Sequence, residues 1–260
     1  MDWFLGTMGF SYKEWEGPFY PAGLSARRHL GYYAERFNAL EMDSTFYGPP
    51  APETVNRWAA ETPETFVICP KTPRQITHDL RLRAADEPMG AFLATMRLLG
   101  SKLGPVLVQL PPNFTAAEVN ALWHFIARLP DDLRFALEFR HRSWDRTETA
   151  VLLENHNVAW VCADYIHLPK GVKRTADFLY LRFIGPHGQF VAKDREMVDK
   201  TADLQRWRQQ IQPHLPQVNA VYAFFNNDYA GYSPETCNKF KRIVGVQAAE
   251  IRPLQQGRLF

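Results

Sequence analysis

The sequence predicts one α/β domain spanning residues 1–260, a single (β/α)₈ barrel with an all-parallel closed sheet. Eight short apolar runs alternate with amphipathic stretches, which is typical of parallel strands joined by right-handed crossovers. The length of 260 residues is close to the roughly 250 of such barrels. No G-x-G-x-x-G follows the first run and no Walker motif is present, which disfavours an open nucleotide-binding sheet.

The predicted strands are runs of apolar, β-branched and aromatic residues. Because the strands of a parallel barrel are covered on both faces, such runs are expected to be nearly continuous in apolar character. In chain order the eight runs are Trp3–Gly6, Ala39–Asp43, Phe66–Cys69, Pro105–Leu110, Arg134–Phe139, Val158–Ala163, Phe178–Ile184 and Ala220–Phe225.

The predicted helices lie between these runs. Thr115 with Glu118 is typical of a capping box, so we expect a helix to begin there. Between the sixth and seventh runs we predict only a loop, residues 166–175. The other helices are predicted at about Leu24–Arg36, from Pro52 onward, and at Pro88–Leu99, Asp145–Asn155, Asp199–Gln212 and Ser233–Ile243.

The composition limits the class of protein. The formal net charge of +2, from 30 basic and 28 acidic residues, gives no support for bulk electrostatic binding of nucleic acid. The start of the chain lacks a cationic region before an apolar stretch, and no apolar run approaches the roughly 18 residues that span a bilayer. Cys69, Cys162 and Cys237 show no C-x-x-C spacing, so no disulfide framework or zinc ribbon is indicated. We expect a cytoplasmic protein with no membrane partner.

Polar residues occur where the predicted strands end. In barrels of this class, the functional side chains lie at the carboxyl ends of the strands and in the loops that follow. We therefore expect a polar cup at one mouth of the barrel; the alternative is a structural ring of ion pairs, for instance between Lys71 and Glu138. The residues concerned are Glu41, Asp43, Lys71, Gln109, Glu138, Arg140, His141, Asp164, Arg182, Asn226 and Asp228.

Several ordered motifs are spread along most of the chain. They include Gly6-Thr7-x-Gly9-Phe10-x-Tyr12-x-x-Trp15, Lys71-x-Pro73-x-x-Ile76-Thr77-His78, Leu103-Gly104-Pro105-Val106, Glu138-Phe139-Arg140-His141-x-Ser143-Trp144 and Phe225-Asn226-Asn227-Asp228. These motifs resemble those of the YecE-like family, domain of unknown function family 72. The resemblance implies a TIM-type barrel and supplies no activity. Two positions depart from the family pattern: Met8 stands where a small residue is expected, and Asp43 where Asn is common.

The carboxylates at the strand ends suit general acid–base chemistry or a hard metal ion. His78 and His141 would add nitrogen ligands, but no H-x-H or H-E-x-x-H pattern is present, so a divalent metal is not favoured and the cofactor stays undetermined. Lys71 raises the alternative of a Schiff base, since a desolvated lysine loses its proton more easily. We favour an ion-paired ammonium there, because nearby carboxylates would keep the lysine charged.

Aromatic and basic residues are concentrated in the loops after the first three strands. Tyr12 and Trp15 follow the first predicted strand, Tyr47 follows the second, and Arg74 and His78 follow the third. Aromatic rings beside basic groups suit stacking on sugars or bases and binding of phosphate. The alternative for the aromatic residues is a packed lid over the mouth.

Together these features favour an enzyme, either a hydrolase, a lyase or an isomerase, that acts on a phosphate- or hydroxyl-rich small molecule or nucleotide-like anion. Non-catalytic binding of nucleic acid or a nucleotide and a protein-interaction scaffold stay open. The candidate catalytic residues are Glu138, Lys71, Glu41 and Asp164. The candidate substrate-binding residues are Tyr12, Trp15, Tyr47, Arg74, His78, Gln109, Arg140, His141, Arg182, Asn226 and Asp228.

Overall fold

Eight parallel strands form one continuous sheet in the computed structural model, which describes residues 1–251. The strands follow one another around the sheet in the order β3-β2-β1-β8-β7-β6-β5-β4, and every ladder between them is parallel. This arrangement confirms the predicted α/β barrel. The strands are β1 Asp2–Met8, β2 Ala39–Met42, β3 Val67–Pro70, β4 Val106–Gln109, β5 Phe135–Glu138, β6 Ala159–Asp164, β7 Phe178–Phe183 and β8 Ala220–Phe225.

The sheet closes between β3 and β4 through two isolated parallel bridges, which we call the seam. One bridge joins Ile68 to Leu103 and the other joins Lys71 to Leu107. At the second bridge, the Thr72 amide donates to the Leu107 carbonyl at 2.8 Å. The end of β3 that carries Lys71 is therefore one of the two points at which the barrel is closed.

Two prolines limit the hydrogen bonds of the seam, and a glycine allows its two strands to approach closely. Pro70 and Pro105 have no N–H to donate to a ladder. Gly104 lies so close to β3 that a Cβ atom there would be 2.5 Å from a Val67 methyl and 2.6 Å from the Cys69 sulfur. A side chain at position 104 would push the two strands apart.

Helices join the strands on the outside of the barrel. Residues 165–177, between β6 and β7, contain no helix, as predicted. No helix within residues 1–251 has the length and apolar character needed to cross a membrane. The helices are α1 His29–Ala34, α2 Pro52–Glu61, α3 Asp86–Met96, α4 Val119–Ile126, α5 Thr147–Asn155, α6 Thr201–Ile211, α7 Asn227–Ala230 and α8 Ser233–Val244.

The predicted capping box before α4 is wrong. The Thr115 side chain makes no capping hydrogen bond, and the chain enters α4 through a 3₁₀ turn, Ala116–Glu118. The Glu118 carboxylate accepts instead from Arg81 Nε at 3.0 Å and lies 3.1 Å from Arg83. An ion pair with another loop has taken the side chain that the capping box needed.

The barrel interior is lined by every second residue of each strand, because successive strand side chains point to opposite faces. Its lower layers are apolar and include Ala39, Cys69, Leu107, Ala136, Tyr180 and Tyr222. Towards the carboxyl ends of the strands, the same inward faces carry Glu41, Glu138 and Arg182. Arg182 contacts both Glu41 and Glu138 although β2, β5 and β7 are not neighbours in the sheet, so the three side chains meet inside the barrel.

Candidate functional site

Six charged side chains come together at the carboxyl ends of β2, β3, β5 and β7, and we call them the mouth cluster. Three are carboxylates and three are cations, so the fully ionised set is electrically balanced. Each follows from strand alternation, which returns a side chain to the interior every second residue. The members are Glu41, Asp43, Lys71, Glu138, Arg140 and Arg182.

Arg182 is the centre of the mouth cluster. Its Nε lies 3.1 Å from both Glu41 oxygens and its Nη2 lies 2.7 Å from Glu41 Oε1, while Nη1 donates to Glu138 Oε2. Nη2 also lies 3.5 Å from the sulfur of Met8, which fills the space a smaller residue would leave open. The Tyr180 hydroxyl donates to Glu41 Oε2 at 2.8 Å. Burial lowers the pKa of Arg182, but the charges of Glu138, Glu41 and Asp43 raise it by more. The pKa therefore lies above its ordinary value, and the guanidinium stays charged.

Glu138 is fully buried between two arginines. Besides Arg182, it pairs through Oε1 with Arg140 Nε, and the Arg140 guanidinium lies 4.5 Å above the centre of the Tyr165 ring. Burial raises the pKa of Glu138, but the charges of Arg140, Arg182 and Lys71 outweigh it and bring the pKa below its ordinary value. A general base that works near neutral pH needs the opposite shift. The catalytic role of Glu138 stays a prediction, and its contacts favour a counter-ion that orients both arginines.

Glu41 is equally buried, and the balance of forces on it is different. Burial raises its pKa, Arg182 lowers it, and the neighbouring Asp43 raises it again, so that the pKa lies above its ordinary value. Because Arg182 and Tyr180 occupy its oxygens, Glu41 has no surface through which to contact a substrate directly. Glu41 lies in the mouth, and its contacts favour a role in positioning Arg182.

Lys71 faces the mouth with an ammonium that makes no hydrogen bond to residues 1–251. Its Nζ lies 3.7 Å from Asp43 Oδ1 and 4.2 Å from the centre of the Phe46 ring, and the residue is 9% exposed. The ion pair of Lys71 with Glu138, given as an example of the structural-ring alternative, does not form, because the two arginines occupy that carboxylate. The carboxylate that pairs with Lys71 is that of Asp43. Burial, assisted by Arg182, lowers the pKa of Lys71 despite the opposing charge of Asp43.

The rim beside Lys71 is built by the loops after β2 and β3. The His78 ring packs edge-on against Phe46 at 5.1 Å, and burial together with Arg74 and Lys71 lowers its pKa. Tyr47 packs against the other side of Phe46 and is 87% exposed. Arg74 is exposed and lies 3.4 Å from Asp79. His78, Tyr47 and Arg74 therefore lie around the entrance, as the sequence predicts.

The aromatic residues after β1 form a packed layer. Trp15 has no exposed surface and packs against Tyr12, Phe19 and Tyr20, which supports the packed-lid alternative for this residue. Tyr12 is half-buried, and its hydroxyl donates to the Met8 carbonyl at 2.6 Å. Burial and the charges of Asp43, Asp228 and Glu41 raise the pKa of Tyr12. Tyr12 thus borders the mouth, while Trp15 lies beneath it.

Asp164 points away from the mouth cluster. Its Oδ2 accepts from Trp207 Nε1 at 2.8 Å and from the Tyr229 hydroxyl at 2.9 Å, and its Oδ1 lies 2.7 Å from Lys170. These partners belong to α6, α7 and the loop after β6, outside the barrel wall. Alternation explains the placement, because the inward residues of β6 are Val161 and Ala163. This geometry gives Asp164 a structural role in fastening helices.

The ends of β4, β5 and β8 place the remaining candidates at the edge of the site. Gln109 is partly exposed on the inward face of β4. Asn226 caps α7 by accepting from the Asp228 amide at 2.9 Å, and Asp228 accepts from the Gly188 amide at 3.1 Å. His141 accepts from the Ser143 amide and so caps a 3₁₀ turn.

A cavity of about 150 Å³ lies beside the mouth, outside the barrel wall. Its lining includes His141, the indole of Trp160 and the outward-facing Cys162. No group of three or more His, Cys, Asp and Glu side chains within residues 1–251 has an arrangement that could hold a metal ion. The charged groups of the mouth cluster are instead paired with one another.

Comparison with known proteins places the chain among relatives of the same fold. Residues 4–258 match a family model described as "Protein of unknown function DUF72". The chain is 24% identical over 263 residues to the UPF0759 protein YunF of Bacillus subtilis, covering 91% of this chain and 93% of that one. It is 39% identical over 109 residues to the UPF0759 protein YecE of Escherichia coli K12, a match that covers 42% of this chain and spans only 40% of the relative's length.

Solved structures extend the likeness. A DUF72 family protein, TM1631 from Thermotoga maritima, superposes with a TM-score of 0.80 at 29% identity over 94% of this chain and 100% of that one. A second, from Enterococcus faecalis, gives a TM-score of 0.77 at 22% identity over 97% of this chain and 99% of its own, and shows the fold alone.

Proposed function

The chain belongs to the DUF72 family, and we propose that it is an enzyme that acts on a hydroxyl-bearing phosphate ester at the carboxyl-end mouth of its barrel. The Lys71 ammonium carries this proposal. It is nearly buried, faces the mouth and has no hydrogen-bond acceptor among the described residues. A nearly buried ammonium that has only a 3.7 Å ion pair with Asp43 and no hydrogen bond among the described residues costs folding free energy unless a ligand supplies an acceptor.

The two arginines of the mouth cluster differ in how far their hydrogen bonds are satisfied within the protein. Arg182 is held by Glu41 and Glu138, so its contacts are complete inside the protein. Arg140 uses only its Nε for Glu138, and its two Nη groups make no hydrogen bond within residues 1–251. Arg140 and Lys71 are therefore the cations that would bind a phosphate, and arginine suits this task because its N–H groups match two phosphate oxygens.

Lys71 also supplies a proton-transfer group. Its lowered pKa brings the ammonium closer to the range in which a side chain both donates and accepts protons at physiological pH. A bound phosphate dianion would raise this pKa again, since an opposite charge favours the protonated form. Binding of phosphate is then coupled to proton uptake by Lys71.

The test measures binding and proton uptake together. We expect millimolar inorganic phosphate and glycerol 3-phosphate to raise the melting temperature through linkage. Calorimetry in two buffers of different ionisation enthalpy should reveal proton uptake. Lys71→Arg should retain binding without the uptake, and Lys71→Met should lose both. Arg128→Met, at a surface pair with Asp86, is the matched control and should behave as the wild type.

Turnover is examined with a panel of sugar phosphates and phosphate mono- and diesters followed by phosphorus NMR. A substrate found in this way should be turned over by wild type and by Arg128→Met, and not by Lys71→Met. The proposal is overturned when millimolar phosphate compounds leave the melting curve of the wild type unchanged.

The exposed Tyr47 ring gives the nucleotide-binding alternative a specific observation. It lies beside Phe46, which itself contacts Lys71, so a planar base would stack there while its phosphate reached the ammonium. A markedly tighter binding of AMP than of glycerol 3-phosphate, with no turnover of either, would favour that alternative.

A further inference from the structure

We infer that Lys71 forms a covalent imine with its substrate, which is therefore an aldehyde or ketone that also carries a phosphate group. The inference rests on the proposed function, because it uses the same mouth and names the substrate class. It goes further in assigning a carbon–nitrogen bond to Lys71 rather than proton transfer alone.

The first argument is the surroundings of the Lys71 nitrogen. Phe46 covers one side of it at 4.2 Å, and Asp43 Oδ1 lies 3.7 Å away, beyond hydrogen-bond distance. That Asp43 oxygen is itself buried and without a hydrogen bond within residues 1–251. A nucleophilic amine and an unused carboxylate oxygen thus lie side by side at the mouth.

The second argument comes from two other buried lysines. Lys102 is 5% exposed, but its Nζ donates to the carbonyls of Ala59 at 2.6 Å and Thr62 at 2.7 Å. Lys241 is also buried and donates to the Arg36 carbonyl at 3.1 Å. Both ammonium groups have hydrogen-bond acceptors, although burial still lowers the pKa of Lys241. Lys71 has no hydrogen-bond acceptor among the described residues and lies near the Arg182 guanidinium, and a desolvated lysine next to another cation is one that acts as a nucleophile.

The charges around Lys71 point the same way. Burial and the guanidinium of Arg182 lower its pKa, so a larger fraction is neutral amine at a given pH than for an exposed lysine. Arg140, on the neighbouring part of the mouth, remains available to hold the phosphate of the same substrate. Binding energy from the phosphate would bring the carbonyl carbon to the amine.

The bond changes balance without a further reagent. The Lys71 ammonium gives a proton to the Asp43 carboxylate through one bridging water molecule, because 3.7 Å is too long for direct transfer, and the nitrogen lone pair attacks the carbonyl carbon. The C–N bond forms while the C=O π electrons move to oxygen, and a proton passes from nitrogen to that oxygen to give a neutral carbinolamine. Asp43 then returns its proton to the hydroxyl, the C–O bond breaks, and water leaves as nitrogen forms the protonated imine. Ammonium and carbonyl thus yield iminium and water.

The experiment traps the imine by reduction. The full-length protein is incubated with glyceraldehyde 3-phosphate and sodium cyanoborohydride, and the modified lysines are located by peptide mass spectrometry. We expect Lys71 to be modified at least tenfold faster than Lys102, which serves as the buried control within the same digest. Inorganic phosphate should protect Lys71 and leave the reaction of exposed lysines unchanged. Non-phosphorylated glyceraldehyde should modify Lys71 much more slowly.

Two variants separate this inference from the proposed function. Lys71→Arg keeps the positive charge and cannot form an imine, so it should bind phosphate but show no adduct at position 71. Asp43→Asn removes the proton acceptor and should slow trapping at Lys71 while phosphate still raises the melting temperature.

The outcomes are distinguishable. Modification of exposed lysines with Lys71 left unmodified overturns the imine, and the proposed function stands when phosphate still stabilises the protein. Modification of Lys71 that phosphate does not slow contradicts the phosphate-bearing substrate. Absence of any stabilisation by phosphate removes the proposed function and this inference with it.

Discussion

The guanidinium of Arg182 on β7 binds the carboxylate of Glu41 on β2 across the barrel interior, with Nη2 2.7 Å from Oε1. The two strands are separated in the sheet by β1 and β8, so no backbone ladder joins them. This ion pair and the one from Arg182 to Glu138 therefore tie together three strands that the sheet does not connect directly. The top layer of the barrel is held by charges where the lower layers are held by apolar packing.

Arg182→Met should destabilise the protein strongly, because it leaves the fully buried Glu41 without its guanidinium partner and Glu138 with Arg140 alone. We expect the free energy of unfolding to fall by about 3–5 kcal/mol, as when one member of a buried pair is removed. Urea denaturation measures this loss. Arg128→Met, which removes an exposed pair with Asp86, is the control and should change stability by about 1 kcal/mol or less. Equal effects of the two substitutions would contradict the central role of Arg182.

Glu138→Gln keeps the shape of the side chain and removes the charge that Arg140 and Arg182 share. Because the cations lower the pKa of Glu138, its carboxylate stabilises the fold fully above the unfolded-state pKa of about 4.3, and this contribution is lost as the pH falls through the lower folded-state pKa. The stability difference between wild type and variant should therefore be several kcal/mol at pH 7, of the order of 3. It should shrink below about pH 4.

The measurement is urea denaturation of both proteins from pH 7 to pH 3.5. A difference that does not change with pH would mean that Glu138 is not ionised in the folded protein. A variant that is as stable as wild type but inactive on an identified substrate would support the original expectation that Glu138 is a catalytic base.

Asp164→Ala should weaken the attachment of helices without affecting the mouth. The substitution leaves Trp207 Nε1 and the Tyr229 hydroxyl without an acceptor, and each buried unsatisfied donor costs about 1–3 kcal/mol. We expect a stability loss of about 2–4 kcal/mol and an unchanged rise in melting temperature with phosphate. Loss of the phosphate effect in a folded variant would return Asp164 to the candidate catalytic residues.

Tyr47→Ala should leave the fold intact and reduce affinity for planar ligands. The ring is 87% exposed, and surface substitutions change stability by about 0.5 kcal/mol or less. Loss of a stacking platform costs about 1–3 kcal/mol per base, so AMP should bind at least about fivefold more weakly. Calorimetric titration with AMP and with inorganic phosphate checks this, since phosphate alone should bind as before. A weaker binding of both ligands would show that Tyr47 acts on the mouth cluster instead.

The sequence predicts the barrel because an apolar run recurs eight times and a stretch of helical period follows seven of the eight runs. The same alternation predicts that Glu41, Glu138 and Arg182 share the mouth. Applied to β6, it would also have separated Asp164 from them, because Cys162 and Asp164 alternate with Val161 and Ala163, which face inward. Asp164 was expected at the mouth because it ends a strand, although the alternation within β6 places its side chain on the outward face.

Other features depend on contacts between distant parts of the chain. Glu118 suits a capping box locally, but the nearby arginines of the loop after β3 pair with it in the fold. The direction of the pKa shift of Lys71 depends on how much of its charge is removed from water. Charge partners are visible in the sequence, whereas burial depends on the packed structure, and here burial is the larger effect.

At the seam between β3 and β4, the wall of the barrel is held together by few backbone hydrogen bonds. Opening between β7 and β8 breaks a ladder of six residue pairs, whereas opening here breaks the two bridges at Ile68 and Lys71. Local unfolding follows the route with the fewest protected contacts, so the Thr72 amide should exchange its hydrogen sooner than amides within β7 or β8. Since Lys71 lies on the upper bridge, a ligand that binds its side chain also acts on one of the two contacts that close the barrel. The width of the mouth and ligand binding are then coupled.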